Sequence, residues 1–261
     1  MLLTRTLSAV VLAPLVLLAI WMGGWWFAAL VALAAGLMGW EWARMCNGGQ
    51  LGWPGYLVIA SLVLPTALYL FLPTFTPLLS VWILALLSWQ AAVFKVRRQD
   101  PTLFVGIVYI GTACLSFLWL RNLSGEEGRD LVFWILAVVW ATDIGAYFAG
   151  RGIGGAKLAP RISPNKTWAG LIGGALSAGL VGVAAAGLIG RDMLLLVVGG
   201  MVLAVIAQGG DLLESWCKRR FGMKDSSHII PGHGGILDRV DGLLAVLPVV
   251  LLYLWVIGKA L

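Results

Sequence analysis

The sequence predicts an all-α, polytopic integral membrane protein with about nine transmembrane helices. Of the 261 residues, 61% are hydrophobic and only 11% are charged, which is too apolar for an ordinary soluble domain. Apolar runs long enough to cross roughly 30 Å of hydrocarbon recur along the chain, with Gly, Pro or Trp at several boundaries. These runs centre on residues 5–22, 25–43, 56–72, 77–94, 103–120, 131–150, 167–190, 193–215 and 242–258.

The first apolar run begins just after Arg5 and has the general appearance of a secretory signal. It lacks a small-x-small cleavage pattern, however, and a second apolar run follows it at once. We therefore expect a first span that is retained in the membrane.

The net charge of +6 does not indicate a nucleic-acid partner, because the basic residues lie between apolar runs rather than on one soluble face. In such positions lysine and arginine anchor a chain to anionic headgroups and set its orientation. If the N-terminus is cytoplasmic, most basic residues fall on the cytoplasmic side. These are Arg5, Arg44, Lys95, Arg97, Arg98, Arg151, Lys157, Arg161, Lys166, Lys218, Arg219, Arg220, Lys224 and Arg239, against Arg121, Arg129, Arg191 and Lys259 on the other side.

This asymmetry predicts a cytoplasmic N-terminus and a C-terminus on the opposite side. It also places the polar segments 151–166 and 216–241 on the same cytoplasmic face, so that one site can be built from both. Elsewhere, Glu41 is an isolated acid in an apolar run. Because Arg44 follows it by three residues along a helix, we expect the two to form an interfacial ion pair.

Residues 211–241 hold five of the twelve acidic residues, five of the eighteen basic residues and both histidines. Asp211, Glu214, Ser215 and Lys218 stand at i, i+3, i+4 and i+7, and therefore share one face of the eighth helix. Two interpretations remain open: a polar stripe that faces a functional site, and a structural ion pair between Lys218 and one of the two acids.

Asp238 and Asp241 lie three residues apart at the start of the last apolar run. Alone, they are typical of acids that stabilise the N-terminus of a helix. Together with Asp211 and Glu214 at the same membrane face, they predict a site of hard oxygen ligands for a divalent cation. Such sites hold Mg²⁺ for phosphate chemistry.

The loop between these two pairs of acids supplies the complementary charge for phosphate groups, since arginine suits bidentate contact and lysine offers a point charge. The basic candidates are Lys218, Arg219, Arg220, Lys224 and Arg239. In the sequence PGHGG, residues 231–235, the glycines permit close approach of the backbone to a ligand. His233 is either a proton carrier or, as is more common for a loop histidine, a hydrogen-bonding residue.

Two further segments carry polar candidates. Asp143 lies inside the sixth apolar run, where a carboxylate is a functional candidate by default. In SPNKTW, residues 163–168, Lys166 and the hydroxyls of Ser163 and Thr167 stand at the start of the seventh helix. This arrangement either cradles a phosphate or caps the helix in the ordinary way.

Residues 215–241 follow the pattern S-x-x-K-R-x4-K-D-x-[small]-x2-I-P-x-H-G-G-x-x-D-R-x-D, which resembles the signature of the phosphatidate cytidylyltransferase family. The segments TDxGAYFxGR at 142–151, SPNKTW at 163–168 and GDLxES at 210–215 are also similar to that family. The resemblance covers roughly residues 140–242, and the N-terminal half matches only as apolar spans.

Three residues depart from what the family often has, namely Ser227, Ala169 and Gly242. They affect the local loop geometry and leave the reaction class unchanged. We accordingly divide the chain into an N-terminal transmembrane scaffold, 1–130, and a C-terminal transmembrane catalytic region, 131–261.

The resemblance implies transfer of a cytidylyl group from CTP to phosphatidate, a membrane lipid, with Mg²⁺ and with a second cation left open. It implies a protein of the bacterial cytoplasmic (inner) membrane with its site near the cytoplasmic face. The metal ligands would be Asp211 and Asp238. The catalytic candidates are Asp211, Asp238, Lys224, Asp225, His233 and Asp241, and the substrate-binding candidates are Asp143, Ser163, Asn165, Lys166, Thr167, Ser215, Lys218, Arg219 and Arg239.

Two alternative functions remain open. Buried acids and interrupted apolar runs also mark ion-coupled secondary transporters, although here the charges gather at one face and no two halves mirror each other. A CTP-dependent lipid kinase is the nearer alternative among enzymes. Separately, the spacing Gly170-x-x-x-Gly174 permits close packing of helices and leaves a homodimer open.

Overall fold

The computed structural model describes residues 2–72, 76–96, 101–123 and 126–258. Within these residues the chain forms nine helices and one short hairpin of two strands. The helices are α1 (Leu2–Met22), α2 (Gly24–Cys46), α3 (Gly52–Tyr69), α4 (Thr76–Val96), α5 (Thr102–Arg121), α6 (Glu127–Gly152), α7 (Trp168–Ile189), α8 (Met193–Arg220) and α9 (Leu237–Val256). The strands are β1 (Lys157–Ala159) and β2 (Ser163–Thr167).

The polytopic membrane architecture is confirmed. In the described part of the chain, eight helices, α2 to α9, are long and apolar enough to cross a membrane. The ninth, α1, contributes a shorter apolar stretch, Val10–Met22. Large apolar side chains such as Leu180, Leu188 and Phe94 are exposed on the outer surface of the bundle, as expected of side chains that face lipid.

The ends of the last two helices differ from the prediction. Helix α8 continues beyond residue 215 to Arg220, because lysine and arginine are good helix formers and are favoured in the last turn by the helix dipole. Helix α9 begins at Leu237, five residues before the predicted start of its apolar run at 242. The loop within the polar segment 216–241 is therefore limited to residues 221–236. Lys218 lies on α8, as its i+7 spacing from Asp211 predicts, and Asp238 and Asp241 lie in the first turns of α9.

The hairpin of β1 and β2 was not predicted. Its strands pair antiparallel, with Lys157 opposite Thr167 and Ala159 opposite Ser163. Such a short hairpin carries no detectable apolar alternation, so the sequence gives it no strand signal. It matters for the site because it fixes the position of Lys166, which lies on β2 one residue before the cap of α7.

Helices α6 and α7 pack closely through small residues. A Cβ added at Gly174 would meet the carbonyl oxygen of Thr142 at 2.9 Å, and one added at Gly170 would meet that of Ala146 at 3.0 Å. The predicted Gly170-x-x-x-Gly174 spacing therefore serves packing inside the chain, against α6. The homodimer stays a prediction that this pattern no longer supports.

One end of the bundle carries its own polar network. Arg121 donates to the carbonyl oxygen of Ile20 at 2.5 Å and to that of Trp21 at 3.0 Å, at the C-terminal end of α1. Arg191 pairs with Glu127 at 2.9 Å at the same end. The predicted grouping of Arg121, Arg129 and Arg191 on one side thus agrees with the helix arrangement, whereas Arg97, Arg98 and Lys259 lie outside the described residues.

Candidate active site

The ends of α6, α8 and α9 opposite to this network bring polar side chains together with the hairpin. Lys166 of β2 places its Nζ 2.5 Å from a carboxylate oxygen of Asp211 on α8, and donates to Oε1 of Gln208 at 3.0 Å. The other oxygen of Asp211 accepts a hydrogen bond from the hydroxyl of Ser215 at 3.3 Å. The helical face predicted for Asp211 and Ser215 is therefore formed, and Lys166 reaches it from a distant segment.

Two further carboxylates interact electrostatically with the Lys166–Asp211 pair. Asp143 of α6 lies close enough to Asp211, Lys166 and Arg239 to interact with them electrostatically. Asp241 of α9 interacts in the same way with Asp211, Asp143 and Lys166. We call Asp143, Asp211 and Asp241 the acidic cluster. Its three carboxylates face two basic side chains, an excess of negative charge that a bound cation would offset.

A second group of charges is buried beside the acidic cluster. The Nζ of Lys218 lies 2.6 Å from Glu214 and 2.6 Å from Asp238. The three side chains are only 11%, 7% and 5% exposed. The predicted alternative of a structural ion pair between Glu214 and Lys218 is therefore present. Because its charge is already matched by two carboxylates, Lys218 is placed as a buried structural cation, and its predicted role in substrate binding stays a prediction.

Asp238 also organises the loop before α9. Its carboxylate accepts hydrogen bonds from the backbone N–H of Ser226 at 3.0 Å, from that of Gly235 at 2.8 Å and from the hydroxyl of Ser226 at 3.0 Å. Gly234, at a φ of +84°, lies directly against this carboxylate, and a Cβ there would come within 2.7 Å of it. The second residue of the His-Gly-Gly sequence must therefore be glycine for Asp238 to close the loop.

The two predicted metal ligands stand in different surroundings. Both oxygens of Asp238 are occupied by donors, whereas Asp211 has Lys166 on one side and a long hydroxyl contact on the other. Among the residues that the structure describes, no three His, Cys, Asp or Glu side chains are close enough to hold a metal ion by themselves. The oxygen donors around Asp211 fit a hard cation that also takes ligands from a substrate. A ligand role for Asp238 stays a prediction, since a cation would have to replace Lys218 at its carboxylate.

Several charged candidates are exposed around this end of the bundle. Lys224 and Asp225 lie on the loop after α8 and are exposed, as are Arg219 at the end of α8 and Arg239 on α9. Arg219 donates to the carbonyl oxygen of Met223 at 3.2 Å. In the described part of the chain, no carboxylate forms a salt bridge with Lys224. These side chains are accessible to a phosphate-bearing ligand.

His233 contacts the first helix. The hydroxyl of Ser8 on α1 donates to the carbonyl oxygen of Pro231 at 3.0 Å and lies 3.2 Å from Nδ1 of His233. This contact agrees with the interpretation of His233 as a hydrogen-bonding residue, and its role as a proton carrier stays a prediction. It also shows that α1 reaches the loop that precedes α9.

The SPNKTW segment divides between two roles. The hydroxyl of Thr167 accepts a hydrogen bond from the backbone N–H of Gly170 at 3.0 Å, so Thr167 is the N-cap of α7 as in the ordinary alternative. Ser163 lies in the hairpin opposite Ala159, and Asn165 is exposed. Lys166 is the residue of this segment that enters the charged site.

The predicted ion pair between Glu41 and Arg44 is wrong. Glu41 is fully buried, and its carboxylate accepts hydrogen bonds from the loop before α9 and from the start of α9. Arg44 instead donates to the carbonyl oxygen of Gly49 at 2.8 Å and lies over the ring of Trp40. A carboxylate in an apolar run is a functional candidate wherever it occurs, and this signal was present in the sequence.

Comparison with known proteins identifies the family. The model of the cytidylyltransferase family matches residues 3–257. The chain belongs to the cytidylyltransferase family. The motifs pointed to this family over roughly residues 140–242, and the match extends over the N-terminal half as well.

Several curated cytidylyltransferases are similar to the chain. A protein named phosphatidate cytidylyltransferase from Brucella suis is 40% identical over 97% of this chain and 92% of its own length. A protein of the same name from Pseudomonas aeruginosa is 36% identical over 99% of this chain and 98% of its own length. One from Bacillus subtilis is 40% identical over 64% of this chain and 63% of its own length.

Proposed function

We propose that this chain transfers a cytidylyl group from CTP to phosphatidate, forming CDP-diacylglycerol and pyrophosphate. The observation that carries the proposal is the family match over residues 3–257, together with relatives of this name that align along nearly the full chain. The site is chemically suited to it. An acidic cluster that can take a cation, and exposed basic side chains around it, fit two substrates that both carry phosphate.

The reaction joins a lipid phosphate to a nucleotide phosphate. An oxygen of phosphatidate forms a bond to the α-phosphorus of CTP, and the bond from that phosphorus to the oxygen bridging to the β-phosphate breaks, so that pyrophosphate leaves. Negative charge accumulates on the reacting oxygens. We assign the basic side chains of Lys166, Arg219, Lys224 and Arg239 to offsetting this charge, so that catalysis rests on positioning and electrostatics.

Mg²⁺ is the cofactor that this chemistry calls for. The residue best placed to hold it is Asp211, with Asp143 and Asp241 beside it, and Asp238 is the second ligand that the family resemblance implies. When bound, Mg²⁺ would neutralise and orient the phosphate groups of CTP. A second cation would need charge from the phosphate groups of CTP, because the three carboxylates of the acidic cluster already face two basic side chains.

We further propose that the site faces the cytoplasm in the bacterial inner membrane, with the N-terminus on the same side. CTP is a highly charged nucleotide that does not cross hydrocarbon, so its site must open to the compartment that contains it. The end of the bundle that carries the acidic cluster is also the end that the distribution of basic residues predicts to be cytoplasmic.

Product analysis tests the proposal against its alternatives. Purified protein in detergent would be incubated with phosphatidate and CTP labelled in the cytosine ring. Transfer of the cytidylyl group moves the label into the lipid fraction. A CTP-dependent lipid kinase would leave the label in water-soluble CDP, and a transporter would leave CTP unchanged, so either result would overturn the proposal.

A further inference from the structure

A buried carboxylate of the N-terminal half contacts the loop before α9. Glu41, near the end of α2, has no exposed surface. Its carboxylate accepts a hydrogen bond from the hydroxyl of Ser227 at 2.6 Å, and the hydroxyl of Ser226, at 3.3 Å, shares its single hydrogen between Glu41 and Asp238. It also accepts hydrogen bonds from the backbone N–H groups of Ile236 and Leu237, both at 2.8 Å. Four donors from the C-terminal half thus converge on one side chain of the N-terminal half.

Two of these donors form the start of α9. The residue at its N-cap, Ile236, has no side chain that can accept a hydrogen bond, and no local side chain caps the helix. Glu41 takes that role from a helix almost two hundred residues away, since Leu237 lies 196 positions further along the chain. A carboxylate at this position satisfies otherwise unpaired N–H groups and interacts favourably with the helix dipole.

The approach of Glu41 also explains the last glycine of the loop. A Cβ added at Gly235 would lie 2.3 Å from Oε1 of Glu41 and 2.0 Å from the hydroxyl oxygen of Ser226. No side chain fits between the loop and the carboxylate. Gly235 in turn donates its N–H to Asp238, so the same turn of backbone joins Glu41 to the charged site.

Ser226 provides a second connection. Its hydroxyl lies 3.3 Å from Glu41 and 3.0 Å from Asp238, and its backbone N–H donates to Asp238. Asp238 pairs with Lys218 of α8. No basic side chain in the described residues forms a salt bridge with Glu41, so its carboxylate depends on these hydrogen bonds and on the dipole of α9.

We propose that Glu41 is a positioning residue for the transfer reaction. It fixes the start of α9 and the serine turn before it, and thereby sets the positions of Arg239 and Asp241 relative to Asp211 on α8. This inference rests on the proposed function, because the reaction affected is cytidylyl transfer. It also means that α2 of the predicted scaffold takes part in shaping the site.

Glu41→Gln is the informative variant because it keeps the size of the side chain. Its amide has one accepting oxygen and would turn an NH₂ group towards donors. We expect kcat to fall by about 10- to 100-fold, because α9 loses the contact that holds Asp241 and Arg239 in place relative to Asp211. We also expect the KM for CTP to rise several-fold, because Arg239 near the start of α9 loses its fixed position.

The rise in KM separates positioning from simple loss of structure. Unfolding of part of the sample lowers Vmax and leaves the KM of the remaining molecules unchanged. Glu41→Asp keeps the charge but is one methylene shorter, and should recover part of kcat and of KM. Ser61→Ala is the matched control. It removes a buried 2.8 Å hydrogen bond between Ser61 and Ser88 in the same half of the chain, away from the loop, and should leave both constants unchanged.

A second variant keeps the inference testable if Glu41→Gln does not fold. Ser227→Ala removes the shortest of the four hydrogen bonds and leaves the carboxylate in place. It should lower kcat and raise the KM for CTP in the same direction, to a smaller extent. If both substitutions are made in a folded protein, their effects should be less than additive, because they act on the same contact.

The outcomes distinguish the inference from the proposed function. A wild-type protein that forms no cytidine-bearing lipid contradicts the proposed function. An active wild type with a folded Glu41→Gln or Ser227→Ala variant of unchanged kcat and KM overturns the role of Glu41 alone. A variant whose activity loss follows its loss of folded protein, at unchanged KM, overturns it as well and leaves Glu41 with a purely structural role.

Discussion

Lys166, on a short hairpin between two membrane helices, lies 2.5 Å from the carboxylate of Asp211 on α8. The two residues are 45 positions apart, and no local pattern joins them. Their side chains remain 16% and 32% exposed, so the pair is partly open at the end of the bundle rather than sealed in the core. The relationship defines the centre of the candidate site, because Asp143 and Asp241 both interact electrostatically with Lys166 and Asp211.

The first prediction concerns Asp211. Asp211→Asn keeps the shape of the side chain and removes its charge, so it weakens both the contact with Lys166 and the binding of a cation. We expect kcat to fall by at least about 100-fold, which is typical when one group that stabilises charge in the transition state is removed. Because partly exposed ion pairs contribute only about 0–1 kcal/mol to stability, the melting temperature in detergent should change little.

The magnesium dependence of the activity of the same variant tests separately whether Asp211 is a metal ligand. If Asp211 is a ligand, the concentration of Mg²⁺ that gives half-maximal activity should rise in Asp211→Asn. Lys166→Met serves as the comparison, since it lowers activity without removing an oxygen ligand. Equal magnesium dependence in the wild type and in Asp211→Asn would count against the assignment of Asp211 as a ligand.

The second prediction concerns Lys218, which lies buried between Glu214 and Asp238. Lys218→Met keeps most of the volume and leaves two carboxylates without a cation. Removing one partner from a buried ion pair costs about 3–5 kcal/mol, so the variant should yield less folded protein with a lower melting temperature. Lys224→Met makes the same chemical change at an exposed position and should melt like the wild type. A stable Lys218→Met protein that has lost only activity would support a substrate-binding role instead.

The third prediction concerns Lys224, which is exposed on the loop after α8. If it contacts a phosphate that gains charge during transfer, Lys224→Ala should lower both kcat and kcat/KM. The decrease should correspond to a loss of about 2–4 kcal/mol of transition-state stabilisation. Lys224→Arg keeps the charge with a different donor geometry and should recover part of the loss. Steady-state rates at saturating CTP and phosphatidate, measured beside melting temperatures, check this. Normal turnover of the alanine variant would make Lys224 an anchor for anionic headgroups.

The fourth prediction concerns topology. The three cysteines of the chain are buried, so single cysteines introduced near Pro160 and near Gly222 should report with little background. Both should react with a membrane-impermeant thiol reagent only from the cytoplasmic side. A cysteine at Gly190, between α7 and α8, should react only from the other side. Labelling at 160 and 222 from opposite sides would exclude a site shared by the hairpin and the loop.

Much of the fold could be predicted because membrane spans need long apolar runs, and this chain has little else. The ends of α8 and α9 were harder to place. Arg219 and Arg220 are polar but continue the helix, and α9 begins where a remote carboxylate caps it. Hydropathy marks where a helix meets lipid, not where the helix ends.

The site was only partly predictable for a similar reason. Local spacing gave the shared face of Asp211 and Ser215, and the contact between them is present. The partner of Lys218 was left open between two acids, and the structure adds Asp238, which lies 20 residues further on. Glu41 was assigned to the nearest base because its true donors lie 185 or more residues away, beyond the reach of any local pattern.

The most direct test of cytidylyl transfer is the stoichiometry of the two products. Purified protein would be given phosphatidate, CTP and Mg²⁺, and the amounts of cytidine-bearing lipid and of released pyrophosphate would be measured over time by mass spectrometry and an enzymatic assay. We predict equal amounts of the two products, and formation of neither when phosphatidate is omitted. Release of CDP in place of pyrophosphate, or a lipid product without cytidine, would contradict the account.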